Sequence, residues 1–237
     1  MISNMIFYSI HFNRPDFIEI QKRCVERIGG KLVVIDNSYS GDLIRKECNR
    51  LGIACYDSHS RGVSFGSPSS SHGEALNYAK NVIDYSSDWC LIDHDFFPTH
   101  KIEFGEFDII SIPQIRENVT YLWPGFTAAR HYVNIKGIDF MPVHGVGDTG
   151  ANTRVFFESG EYKIKEVFER TIIENIPENV YLQRFPTLSV IDGIGIHYLN
   201  GSFWMSVEID VVKKKNEDLL NIINSLSNED NSKPNSN

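Results

Sequence analysis

Hydrophobic positions in the first hundred residues fall into short runs that switch between two periods. Met5–Phe12 is an apolar, β-leaning run, and Arg14-Pro15-Asp16 then opens a helical stretch whose buried side carries Phe17, Ile18, Ile20, Cys24, Val25 and Ile28. Gly29-Gly30 stops that helix. Leu32-Val33-Val34-Ile35 is continuous and apolar, as a strand covered on both faces should be, and it ends in Asp36-Asn37-Ser38. The alternation then repeats: a helix from about Gly41 to Leu51 ended by Gly52, a strand over Ile53–Tyr56, a helix over His72–Tyr85 and a buried strand at Trp89-Cys90-Leu91-Ile92. Between the third strand and the third helix, Asp57–Ser71 is polar and rich in Ser and Gly. It reads as a long connection of the kind that often serves function. This rhythm predicts an α/β fold, a mostly parallel, Rossmann-like sheet flanked by helices.

The second half is less regular. Asp108–Pro113 and Val119–Trp123 read as strands, Pro124–Val133 as a helix and Ile138–Arg154 as a glycine-containing loop. Leu188–Ile191 and Ile194–Tyr198 read as strands and about Lys214 to Leu226 as a helix. Residues 227–237, made of Asn, Ser, Glu, Asp, Lys and Pro, read as a disordered tail. We expect one domain over 1–226, with a nucleotide-binding half (1–100) and an acceptor half (101–226).

Composition narrows the function. With 237 residues, 41% of them hydrophobic, the chain can bury one substantial core. The formal charge of −8, with no basic cluster longer than Lys213-Lys214-Lys215, argues against a nucleic-acid partner. The first residues carry neither a basic leader nor a long apolar run, so the expected location is cytoplasmic, with no transmembrane segment. Cys24, Cys48, Cys55 and Cys90 show no C-x-x-C spacing and read as free thiols.

The strongest chemical signal is Asp93-His94-Asp95, which follows the strand Trp89–Ile92 directly and precedes Phe96-Phe97-Pro98. Ligands of open α/β sheets bind outside the carboxyl ends of the strands. Two carboxylates two residues apart at that place present oxygens to one Mn²⁺ or Mg²⁺, hard ions that keep sites open for phosphate oxygens.

Taken in order, several segments resemble GT-A glycosyltransferases, nucleotide-sugar-dependent enzymes with a D-x-D motif. Tyr8–Phe17 looks like their opening strand and turn, Val33–Ser38 like their second strand with its D-N-S ending, His72–Asn77 like their helix before the metal motif, and Leu91–Asp95 like the motif itself. The resemblance covers about the first hundred residues. It implies that Ser9 and His11 lie beside the nucleotide base, Asp36 on the base and Asn77 near ribose or phosphate. It makes Asp95 the surest metal ligand, with Asp93 meeting ribose or metal. A basic residue often found beside the family's conserved Asn is replaced by Leu76. Read without the resemblance, Asp36-Asn37 is an Asx turn.

Gly195–Trp204 resembles the segment that supplies the family's metal-binding histidine, here His197, although Trp204 follows Gly201 rather than a Lys-Pro pair. Gly145-Val146-Gly147-Asp148-Thr149-Gly150 matches G-x-G-x-x-G but follows no first strand, so it is no dinucleotide fingerprint. Asp148 is instead the candidate base for an acceptor hydroxyl, with a plain Gly-Asp turn as the alternative. Trp123-Pro124-Gly125-Phe126 and Arg130-His131-Tyr132 offer aromatic and basic groups for acceptor or diphosphate, or for packing.

The expected activity is transfer of a hexosyl group from a nucleotide-diphosphate sugar, UDP-sugar favoured, to a glycan or other hydroxyl acceptor. The alternatives are a sugar nucleotidyltransferase, whose Gly-rich basic loop is missing from His11–Phe17, and a non-catalytic carbohydrate-binding protein. The latter has no need of Asp36, Asp93 and Asp95 at strand ends.

Overall fold

The computed structural model describes residues 5–38, 42–58, 67–116, 118–171, 188–191, 193–199 and 209–232. The α/β class expected from the sequence is the class observed. The strands β1 (Ile6–His11), β2 (Lys31–Asp36), β3 (Ala54–Asp57) and β4 (Trp89–Asp93) alternate with the helices α1 (Asp16–Arg27), α2 (Leu43–Leu51) and α3 (Pro68–Val82). A main sheet of seven strands runs β3-β2-β1-β4-β7-β6-β8, where β6 is Ile109–Arg116, β7 Val119–Ala129 and β8 Ile164–Glu166. Its first four strands pair in parallel and β7 is antiparallel to both of its neighbours.

The crossover helices divide between the two faces. Ile18 and Val25 of α1 and Ile44 and Cys48 of α2 pack with Phe7, Val34, Cys90 and Ile92, whereas Ala75, Leu76 and Ala79 of α3 pack with Tyr8, Ile10, Ile35 and Leu91. Alternation along each strand therefore feeds both cores. Gly29 and Gly52 end α1 and α2 with positive φ, as the sequence suggested. The cysteines are free, with Cys24, Cys48 and Cys90 buried.

A second, antiparallel sheet runs β5-β11-β10-β9, from β5 (Phe96–Pro98), β11 (Gly195–His197), β10 (Ser189–Ile191) and β9 (Glu169–Thr171). The acidic turn is the joint between the sheets, because β4 enters it and β5 leaves it. The helix α5 (Ile209–Ser232) lays Leu219 and Ile223 over this sheet against Phe17, Phe97, Ile196 and Tyr198. Its buried Lys215 donates from Nζ to the Leu199 carbonyl at 2.7 Å.

Three expectations change. Pro124–Val133 is not a helix: residues 119–129 form one long strand, pairing with β6 and, over Phe126–Ala129, with β4. Burial on both sides between two strands overrides local preference there. The polar connection after β3 ends earlier than expected, since Ser67 caps α3 by accepting from the Ser70 N–H and Pro68 takes the first helical position. The helix α5 runs on through Ser232, past the Leu226 end expected, while 233–237 lie outside the described residues. The loop expected over Ile138–Arg154 holds a 3-10 turn at Ala151–Thr153 and leads into α4 (Arg154–Ser159).

Gly195 shows how tightly the second sheet is fitted. A Cβ there would lie 2.6 Å from the Phe97 carbonyl oxygen and 2.9 Å from the Phe96 ring. Gly195→Ala is expected to destabilise the protein by about 1–3 kcal/mol, read from the urea midpoint; an unchanged midpoint contradicts this packing.

Candidate active site at the carboxyl end of the sheet

The acidic turn is held by its backbone. Gln21, buried on α1, donates from Nε2 to the carbonyls of Asp93 and Phe96, both at 2.8 Å. The Tyr198 N–H donates to the Asp95 carbonyl and the His94 N–H to the Ile10 carbonyl, at 2.8 and 3.0 Å. With its amide nitrogen committed, Gln21 Oε1 accepts from His11 Nε2 at 2.9 Å. Desolvation, with the nearby His94 adding to it, lowers the His11 pKa to about 3. His94 itself points inward, stacked on Phe17, and burial lowers its pKa as well.

The two carboxylates of the turn each face a histidine, Asp95 from a buried position and Asp93 from a partly buried one. Asp93 Oδ1 lies 2.8 Å from His72 Nε2, and Asp95 Oδ1 lies 3.7 Å from His197 Nε2. The other nitrogen of His197 meets Glu169 Oε1 at 2.7 Å, and the Trp123 ring lies 4.7 Å from the imidazole, centroid to centroid. Burial works to lower the His197 pKa, but the charges and hydrogen bonds of Asp95 and Glu169 prevail and raise it to about 10. His72 follows the same pattern: burial opposes protonation, and Asp93 raises the pKa above the usual value. Gly125 lets β7 pass close by, since a Cβ there would sit 2.8 Å from Asp93 Oδ2 and run into the Trp123 ring.

Asp148 belongs to the same end. His72 feels its charge, its Oδ1 accepts from the Thr149 N–H at 2.8 Å, and its Oδ2 lies 3.4 Å from Arg116. Burial works to raise its pKa, but hydrogen bonds from Ser69 and Thr149, with the charges of Arg116 and His72, bring it below the ordinary value. Thr149 Oγ1 donates to the Ser69 carbonyl and ties this loop to the start of α3.

The remaining sequence-predicted residues sit differently. Ser9 and His11 are fully buried on β1 rather than open to a ligand. Asp36 ends β2 and accepts the Ser38 N–H at 3.0 Å, the Asx turn that local chemistry suggested. Asn77 is engaged in holding the fold, donating to Asp139 Oδ1 at 2.7 Å and accepting the Phe140 N–H at 3.0 Å. Arg130 and His131 lie at the opposite end of the sheet, beside the start of β4, where both meet Asp88. Gly201, Ser202, Phe203 and Trp204 lie outside the described residues. Sequence reasoning missed Gln21, His72 and Glu169. Only His72 carried a signal, its place in the segment that resembles the helix before the metal motif.

For a divalent cation the donor types fit: carboxylates from Asp93 and Asp95, an imidazole nitrogen from His197, and Glu169 behind that histidine to fix its tautomer. Asp93 Oδ1 is buried, and among the described residues the group facing it is His72 Nε2 at 2.8 Å, which a cation could displace or share. The side chains as they stand are divided between two histidines. In this conformation, among the described residues, no group of three His, Cys, Asp or Glu side chains is placed to hold an ion.

No family model and no curated protein matches the chain. Among solved structures it is similar to glucosyl-3-phosphoglycerate synthase from Mycobacterium tuberculosis in complex with phosphoglyceric acid, with a TM-score of 0.45, 13% identity, and coverage of 70% of this chain and 69% of that one. It is also similar to that enzyme in complex with Mn²⁺, uridine diphosphate and glucosyl-3-phosphoglycerate, with a TM-score of 0.44, 14% identity, and 70% and 69% coverage. Among the described residues no helix is long and apolar enough to cross a membrane.

The His197 pairing has a pH signature in the metal-free protein. Its folded pKa is raised, so its stabilising contribution is complete below pH about 6.5 and is lost as pH rises towards about 10. His197→Gln is expected to flatten that part of the stability–pH curve in urea titrations. An identical slope in both proteins would contradict the pairing.

Proposed function

We propose that the protein is a cation-dependent glycosyltransferase that moves a hexosyl group from a nucleotide-diphosphate sugar, UDP-sugar favoured, to a hydroxyl acceptor. The observation that carries this reading is the Asp95–His197–Glu169 arrangement beside Asp93 at the carboxyl end of β4. A carboxylate behind a histidine, with the other ring nitrogen turned to an acidic pair, is the usual support of a metal-binding imidazole.

In this reading Asp95 and His197 hold the cation, Asp93 shares it or meets the ribose, and Glu169 keeps His197 Nδ1 protonated so that Nε2 faces Asp95. When bound, the cation supplies neutralising charge to the departing diphosphate. Trp123 presents an aromatic face next to His197 that suits stacking on a sugar ring. Asp148, ionised at neutral pH, accepts the proton of the acceptor hydroxyl across the mouth from the acidic pair. The buried His11 supports the turn from below through Gln21. Asp36, at the neighbouring strand end, is the residue left to meet the base.

Incubation with a panel of nucleotide-sugars and Mn²⁺ is expected to release nucleoside diphosphate; release of pyrophosphate would favour a nucleotidyltransferase. Titration calorimetry is expected to show UDP binding with Mn²⁺, loss of that binding in EDTA, and loss in Asp95→Asn with the folded circular-dichroism spectrum kept. Equal affinity in EDTA would contradict the cation's role. Asp148→Asn is expected to lower transfer by a factor on the order of 10²–10⁴ with donor affinity kept. Full activity in that variant would move the base to another carboxylate, with Glu169 the first to test.

A further inference from the structure

Beyond Asp93, Asp95 and His197, the site holds a second imidazole that the reading above does not use. His72 Nε2 stands 2.8 Å from Asp93 Oδ1 as an ion pair, both atoms are buried, and among the described residues neither has a further hydrogen-bond partner. A buried nitrogen and a buried carboxylate oxygen at that separation are costly unless a shared proton or a shared cation lies between them; the same pair that holds a proton in the metal-free protein can hold a cation. Two donors of one octahedral ion with bonds of about 2.1 Å stand roughly 3 Å apart along an edge of the octahedron. The spacing is that of neighbouring ligands.

The placement of His72 is also built rather than incidental. The helix α3 is fixed on both sides of it: Thr149 Oγ1 donates to the Ser69 carbonyl at 2.8 Å, Asn37 Nδ2 donates to Ser71 Oγ at 3.1 Å, and Gly73 packs so closely that a Cβ would lie 2.8 Å from the Phe140 carbonyl oxygen. A first-turn cap at Ser67 completes the clamp. The first turns of α3 therefore cannot slide, and the imidazole is presented from a rigid element.

We infer that His72 is a direct ligand of the cation through Nε2, in addition to His197, so that the ion is held by two imidazoles and the acidic pair. The inference rests on the cation-dependent reading above and adds a specificity to it. Mg²⁺ favours all-oxygen surroundings, whereas Mn²⁺ accepts imidazole nitrogen readily, so two histidines bias the site towards Mn²⁺.

The test is Mn²⁺ binding to the full chain, followed by the electron paramagnetic resonance of free Mn²⁺ in titrations and by pulsed measurements of nitrogen coupling in the bound form. In the wild type the coupling of two imidazole nitrogens is expected, with Mn²⁺ held at least tenfold more tightly than Mg²⁺. His72→Gln should remove one nitrogen, weaken Mn²⁺ by about tenfold or more, and narrow the preference over Mg²⁺. His72→Asp, which returns an oxygen donor, should recover affinity without recovering the nitrogen. His197→Gln should leave one nitrogen. A coupling unchanged in His72→Gln and abolished in His197→Gln, with affinity altered less than twofold by the first, would overturn the role of His72 and leave the functional reading standing. A wild type that binds no Mn²⁺ would overturn both.

Discussion

The amide of Gln21 is the constraint on which the site depends. It is fully buried on a helix, yet it reaches the last residue of β4 and the first residue of β5 at once. A strand that turns within three residues exposes carbonyls that neither sheet can satisfy, and a buried carbonyl without a partner costs roughly 1–3 kcal/mol. One side chain satisfies two of them, and the Tyr198 N–H satisfies a third. The turn that carries Asp93 and Asp95 is fixed from below, and their side chains face His72 and His197, with Asp95 itself buried. His11 is drawn into the same network as the donor that completes Gln21, which accounts for a histidine buried in the core with its protonation suppressed.

Above the turn the electrostatics are arranged in pairs. Asp93 and Asp95 are close in sequence, and each is answered by an imidazole from a different element, α3 for one and β11 for the other. Glu169 supplies a further negative charge behind His197. Both histidines have raised pKa values because of this cluster: burial alone would push them down, and the carboxylates outweigh it. An excess of buried acid that holds protons on its histidines offers a cation the same field once those protons leave. The second sheet and α5 serve this end, since they position His197, Glu169 and the backbone of Tyr198.

The first half of the fold was legible because most of its strands are continuous apolar runs and its first two helices end at glycines with positive φ, signals set by local chemistry. The acidic pair was legible for the same reason, as it interrupts such a run at the sheet edge. The remainder depended on pairing that no local signal encodes. Pro124–Ala129 has helix-compatible residues but lies between β4 and β6, and β5, β8 and β9 are three residues each, too short to show a period. Gln21 looks like an exposed helical residue until β4 and β5 are placed beside it. Glu169 meets His197 only through the antiparallel register of β9, β10 and β11. Ser9 and His11 show the converse: their resemblance-based role pointed to a ligand, whereas their alternation along β1 directs them into the core beneath the turn.

The central claim is that the carboxyl end of β4 holds a divalent cation together with a nucleoside diphosphate. Anomalous diffraction from crystals grown with Mn²⁺ and UDP tests it most directly. The account predicts one strong manganese peak within about 2.0–2.3 Å of Asp95 and His197, with the diphosphate oxygens bound to the same ion. Manganese and UDP absent from that end, or UDP bound there with no ion and with Asp95 still paired to His197, would contradict it.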